Sequence, residues 1–149
     1  HIRSYLKIQK IRYEDILDYS IEIEPSIRRR IVLKMLLQPL VENALYHGIK
    51  NKRGGGCIVI RGYEERNGLV FEVEDDGIGM DEVELAAVRA KLTLEPEEEL
   101  APIGSGGFGL HNVVQRIQMY YGDQAEILVE SEKNIGTCFK VYLGNQKKS

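Results

Sequence analysis

Four short stretches of the chain combine residue types and spacings that can do chemistry. The first is Leu37-Gln38-Pro39-Leu40-Val41-Glu42-Asn43-Ala44. On a helix, Asn43, Tyr46, His47 and Lys50 form one polar stripe opposite an apolar one. Asparagine is a weak helix former, so an interior Asn43 asks for a reason. Its amide oxygen is a hard ligand suited to Mg²⁺, which takes few protein ligands and completes its shell with phosphates and water. A solvated or capping asparagine beside a kink is the plain alternative. The second stretch is Asp75-Asp76-Gly77-Ile78-Gly79, at the end of a strand pattern. Glycines there allow a sharp turn and the close approach of a flat ligand. A strand-end carboxylate can accept a hydrogen bond from an amine such as that of an adenine ring. An ordinary acidic turn competes with this reading. A calcium loop of the EF-hand kind starting at Glu72 does not, because its twelfth position is Val83, where a bidentate Glu is required.

The third stretch, Gly104-Ser105-Gly106-Gly107-Phe108-Gly109-Leu110, opens a helix. Backbone N–H groups at a helix N-terminus attract phosphate, and glycines clear side chains from the approach. A flexible loop is the alternative. No Gly-Lys-Ser/Thr follows, so it is not a Walker P-loop, and it does not follow the first strand of a βαβ unit, as a Rossmann fingerprint should. The fourth is Gly136-Thr137 at the start of the last strand, where a threonine is usually structural. Its hydroxyl can equally help a nearby carboxylate hold a base.

These stretches need elements to position them. Residues 1–13 carry an imperfect helical stripe (Ile2, Tyr5, Leu6, Ile8, Ile11), and 15–24 alternate as a strand closed by Pro25. Residues 27–50 return to helical spacing, with Pro39 expected to kink or restart the helix. Strands follow at 57–64 and 69–75, joined across Asn67-Gly68, a hairpin signal. A helix near 82–92 opens with Asp81 and Glu84 as its capping box. Residues 93–109 are irregular, acidic and then glycine-rich, and long for a connection inside a compact domain. A helix at 110–121 ends at Gly122, and strands at 125–131 and 136–143 finish the chain. The hairpins predict a mixed or antiparallel sheet, mostly antiparallel, with helices on one face: an α/β (α+β) two-layer sandwich.

Composition narrows the function. The length of 149 residues fits one domain, and 43% hydrophobic residues suffice for a core. Lysine and arginine are scattered and the net charge is -3, which gives no nucleic-acid face. No apolar run approaches the roughly 18 residues that span a bilayer, and there is no signal-peptide pattern. The chain opens on His1 within a helical pattern and so reads as a piece of a longer protein. Cys57 and Cys138 each lie in an apolar, strand-like run and read as buried free thiols.

Taken in order, the four stretches resemble the gyrase/chaperone/histidine-kinase/MutL ATPase superfamily, and within it the sensor histidine kinases of the LytS/YesM type. Tyr5 to Tyr13 is similar to that group's helix end. Leu37 to Ala44 with His47-Gly48 resembles its asparagine box, and Asp75 to Gly79 its first glycine box. Gly106 to Leu110 with Asn112-Val113 resembles the second, and Gly136-Thr137 the last.

The resemblance implies a Bergerat-type fold that binds ATP and Mg²⁺. It implies that Asn43 ligates the Mg²⁺ and Asp75 holds the adenine amine, with Gly77 and Gly79 shaping the base pocket and Thr137 assisting. Gly106, Gly107, Gly109 and Leu110 would border the phosphates, under a mobile lid at 93–108. Residues 1–13 would end an upstream dimerisation and phosphoacceptor helix, and 14–149 would form the ATP-binding domain. The implied activity is transfer of the γ-phosphate of ATP to a histidine outside this chain, for relay to the receiver domain of a response regulator. The implied setting is the cytoplasmic part of a membrane-anchored sensor, homodimeric when full length, with no nucleic-acid partner and no membrane contact by this domain. Two departures stand out. The family often has a Lys three residues after the box asparagine, and here that residue is Tyr46; Lys50, Lys52, Arg53 or His47 would have to reach the phosphate instead. Hydrolysing relatives carry a Glu four residues before the asparagine, and here that residue is Pro39. The alternatives are a dimerisation-gated ATPase and a non-catalytic ATP-binding module.

Overall fold

The computed structural model describes residues 2–13, 16–27, 37–49, 52, 54–66, 68–92 and 109–144. Helix α1 (Ile2–Arg12) leads into strand β1 (Leu17–Ile23). Helix α2 (Gln38–Asn43) continues without a break into a π-helical turn, Ala44–Ile49. The hairpin β2 (Gly56–Glu65) and β3 (Gly68–Asp75), helix α3 (Glu82–Leu92), helix α4 (Gly109–Tyr121) and the hairpin β4 (Ala125–Glu132) and β5 (Gly136–Leu143) follow.

The five strands form one mixed sheet in the order β1-β2-β3-β5-β4. Only β1 and β2 run parallel; the other neighbours are antiparallel. Strand alternation sends Ile58, Ile60, Leu69, Phe71, Val73, Phe139 and Val141 to one face, where they join Leu6 of α1, Leu40 and Val41 of α2 and Val113 and Ile117 of α4 in a single buried core. The opposite face carries no helix among the described residues. This is the expected two-layer sandwich.

Local chemistry explains most boundaries. The Asp81–Glu84 capping box forms in both directions: the Glu84 N–H donates to Asp81 Oδ1 at 2.8 Å and the Asp81 N–H to Glu84 Oε1 at 3.3 Å. Gly122 takes φ +56° directly after α4, the left-handed conformation that ends helices.

Pro39 starts a helix, one of the two outcomes expected of it: it occupies the first turn of α2, where a missing N–H costs nothing. Three expectations need correction. Gly68 is not a turn residue but the first residue of β3, because it pairs with Glu65. It admits its neighbours: a Cβ there would stand 2.6 Å from the Leu143 carbonyl oxygen. Cys57 and Cys138 are free but only half-buried, because both point to the bare face. Tyr46 leaves the polar stripe: it packs partly buried against the core, and its hydroxyl shares a hydrogen bond with Tyr5 of α1. The wider π turn changes the spacing on which that stripe depended. The expected lid at 93–108, with Gly106 and Gly107, lies outside the described residues, as do Lys50 and Arg53.

Candidate functional site

The site grows from the end of β3. Asp75 is the last core-facing residue of that strand and is 5% exposed. Its Oδ1 accepts the Gly77 N–H at 2.9 Å, and the Thr137 N–H also bonds it. Burial nevertheless dominates and pushes the carboxyl up to about 6, with the charge of Asp76 adding to the rise and the two backbone N–H groups opposing it. A buried carboxylate at the threshold of ionisation, with acceptor capacity to spare, suits a ligand that brings its own donor.

The π turn closes the site from above. Gly48 lies against Asp75, and a Cβ on it would stand 2.6 Å from Asp75 Oδ1. Gly77 in turn rests on the Gly48 backbone, with no room for a Cβ, and the Ile78 N–H donates to the Gly48 carbonyl at 3.2 Å. These close approaches require glycine at both positions. Gly79 takes φ +67°, which only glycine adopts without strain, and its backbone presses on the Glu132 carbonyl. The 76–80 loop is thereby docked on the β4–β5 hairpin: the Asn134 N–H donates to the Ile78 carbonyl at 2.6 Å, and the Met80 N–H to Ser131 Oγ at 2.9 Å.

Thr137 stands directly opposite Asp75 across the β3–β5 ladder. It is buried, and its Oγ1 lies 2.8 Å from Ser131 Oγ. Nothing in the sequence singles out Ser131: one serine in an alternating strand gives no local signal, and its partners lie on another strand and another loop.

Asn43 is the last residue of α2 and half-buried; His47, four residues on in the π turn, is exposed. Lys52 is engaged elsewhere: its Nζ donates to the Asp76 carbonyl at 2.7 Å and lies 3.8 Å from Asp76 Oδ1. Asp76 itself follows the end of β3 and ties it to the start of β2, accepting the Cys57 N–H at 2.7 Å. Gly109 and Leu110 open α4, which packs beside α2 and α3. The structure thus gathers Asp75, Gly77, Gly79 and Thr137 in one place and gives Asp76 a different task. An open groove of about 460 Å³ runs past Cys57, Arg61, Glu74 and Cys138 of the bare face, and Asp75, Ser131 and Thr137 also line it.

Residues 29–147 match the family described as histidine kinase-, DNA gyrase B-, and HSP90-like ATPase. The sensor protein kinase HptS of Staphylococcus aureus is 33% identical over 145 residues, 96% of this chain and 26% of that relative. The chain therefore spans about a quarter of the length of such relatives. Among solved structures, the mycobacterial sensor histidine kinase MprB superposes with a TM-score of 0.65 at 21% identity, over 99% of this chain and 95% of that one. The histidine kinase domain of the Erythrobacter litoralis EL346 blue-light activated kinase gives 0.63 at 22% identity, over 95% of this chain and 57% of that one; both show the fold. On the family match, the chain belongs to the histidine kinase-, DNA gyrase B- and HSP90-like ATPases.

Proposed function

We propose that this domain binds Mg-ATP with the base against Asp75 and presents the γ-phosphate to a histidine in another part of the same sensor. The observation that carries the reading is the buried Asp75 carboxylate, walled by Gly48, Gly77 and Thr137. Asp75 accepts the adenine amine, Gly77 and Gly79 leave the base its space, and Thr137 supports the carboxylate. Asn43, at the C-terminal end of α2, offers one neutral amide oxygen to Mg²⁺. No group of three or more His, Cys, Asp or Glu among the described residues could hold a metal alone. That donor set fits an ion brought in by a triphosphate. Gly106, Gly107, Gly109 and Leu110 border the phosphates, the last two at the α4 N-terminus where N–H groups point outward. With Lys52 tied to Asp76 and Tyr46 to Tyr5, His47, exposed among the described residues, is the side chain we assign to the phosphate.

The phosphoryl group passes to a histidine of the phosphoacceptor and dimerisation domain, and from there to the receiver domain of a response regulator. The naming of the 33% identical relative as a sensor protein kinase supports this relay. We place the chain in the LytS/YesM type on its asparagine box with His47-Gly48, and read α1 as the end of the upstream helix of a homodimer. Leu6 and Gln9 of α1 are buried while Ile8 and Ile11 are exposed, as suits a helix with a second partner. A cytoplasmic position in a membrane-anchored sensor accords with the described residues, none of whose helices is long and apolar enough to cross a membrane. Pro39 in place of a water-activating Glu argues against rapid hydrolysis.

Calorimetric titration with Mg-ATP tests the base assignment. Asp75→Asn replaces an acceptor-only carboxylate by an amide and is expected to weaken binding by about 100-fold. Asp76→Asn, just past the end of β3, is expected to change it less than about threefold. Equal losses at both positions would refute the assignment.

A further inference from the structure

The geometry points to Ser131 as a specificity-determining positioning residue: it fixes the direction of the Thr137 hydroxyl so that the site accepts an amine and disfavours a keto group. Three contacts converge on Ser131 Oγ. The Met80 N–H donates to it at 2.9 Å, the Gly136 carbonyl lies at 2.9 Å, and Thr137 Oγ1 at 2.8 Å. A serine hydroxyl has one proton and two lone pairs. The amide of Met80 can only donate, so it occupies one lone pair. The carbonyl of Gly136 can only accept, so the proton of Ser131 goes there. What remains for Thr137 is the second lone pair, and Thr137 must therefore spend its own proton on Ser131. All three contacts are satisfied in that arrangement alone.

The consequence falls on the neighbouring space. Thr137 stands opposite Asp75, and with its proton committed its oxygen faces the site with lone pairs only. Asp75, ionised, is likewise an acceptor. Two acceptors side by side can take the two hydrogens of the adenine amine, whereas the exocyclic carbonyl oxygen of a 6-oxopurine, itself an acceptor, is repelled at the same place. Ser131 touches no base in this scheme and acts through Thr137. Its bond to Met80 also ties the Gly79 loop to the β4–β5 hairpin, so one hydroxyl sets both the polarity of the pocket and the position of its wall.

This inference rests on the Mg-ATP reading above, and the test separates the two. Affinities for ATP and inosine triphosphate, which carries a keto group in place of the amine, are measured by calorimetry for the parent chain and for Ser131→Ala, Ser131→Thr, Thr137→Val and the Ser131→Ala/Thr137→Val double variant. Removing one hydrogen-bond partner is expected to weaken ATP about tenfold in Ser131→Ala while inosine triphosphate changes less, so the ATP preference falls. Ser131→Thr keeps a hydroxyl and restores the preference. In the Thr137→Val background, Ser131→Ala leaves the ATP preference unchanged, because the group that sets it is gone, and any loss through the Met80 contact falls on both nucleotides alike. Equal weakening of both nucleotides in Ser131→Ala alone, or a further fall in ATP preference in the double variant, would overturn the positioning role and leave the ATP site standing. A parent chain that binds neither nucleotide would overturn the ATP reading and this inference with it. Should Ser131→Ala fail to fold, Ser131→Cys, with a weak donor and acceptor of similar size, is expected to show the same direction of change; unaltered preference in that variant would count against the proposal.

Discussion

On the helix-covered face, Asp75 is buried and its carboxyl sits at about 6. One residue earlier on the same strand, Glu74 points to the bare face and meets Arg61 Nη1 at 2.6 Å, while Arg61 Nε lies 3.4 Å from Glu22. The pleat alone separates the two carboxylates, yet one is desolvated and left with spare acceptor capacity while the other is paired in the open. The thiols follow the same division. Both lie on the bare face, and partial burial raises each, Cys138 to about 11 with Glu72 adding to the rise. The proposed base site thus lies where desolvation is steepest, while on the other face Arg61 holds Glu22 and Glu74 in the open.

The sharpest way to test this division is packing. Phe139 is 1% exposed on the covered face, and Phe139→Ala is expected to cost about 3–5 kcal/mol of stability in urea unfolding. Leu128, 50% exposed on the bare face, should cost less than about 1 kcal/mol as Leu128→Ala. Similar losses would mean that the bare face is covered in solution.

A second test uses pH. The folded-state carboxyl of Asp75 is raised above its ordinary value of 3.8 to about 6. The unfolded chain releases that proton first as pH rises. Asp75 therefore favours the folded state fully below about 4, and this contribution is lost as pH climbs through about 6. Nucleotide binding needs the ionised acceptor and so moves the opposite way. As pH falls through 6, the empty domain should gain stability relative to Asp75→Asn while its Mg-ATP affinity declines by up to about tenfold per unit. Affinity independent of pH across that window would show that Asp75 does not serve as an ionised acceptor.

The smallest effect is expected on the bare face. Arg61→Gln removes both ion pairs, but Glu22 and Glu74 are each about half exposed, so the loss should stay within about 1 kcal/mol and shrink further in salt. A loss of several kcal/mol would give that face a structural weight its exposure does not suggest.

What the sequence made legible follows the range of the interactions. The capping box, Gly122, the strand alternation and the strand-end carboxylate are written in neighbouring residues, and the structure places them as expected. Four features depend on partners distant in the chain. The parallel pairing of β1 with β2 has no local signature. Tyr46 turns toward α1 because a π turn follows Asn43. The thiols face outward because the sheet is covered on one side only, and Ser131 matters through Met80, Gly136 and Thr137. The glycine-rich stretch before α4 and the acidic stretch preceding it fall outside the described residues, so the expected part of Gly106 and Gly107 in bordering phosphate stands on sequence.

The strand order also has a kinetic meaning. Strands β2 and β3 are joined by a two-residue loop and β4 and β5 by another short turn, so each hairpin can close early and independently. Asp75 belongs to the first hairpin and Thr137 to the second, and they meet only along the β3–β5 seam. Joining that seam closes a loop of many residues, the kind of step that is slow because chain entropy is lost before contacts compensate. On this topology the two hairpins are expected to form before they dock, so the proposed base site would be completed only when the β3–β5 seam closes.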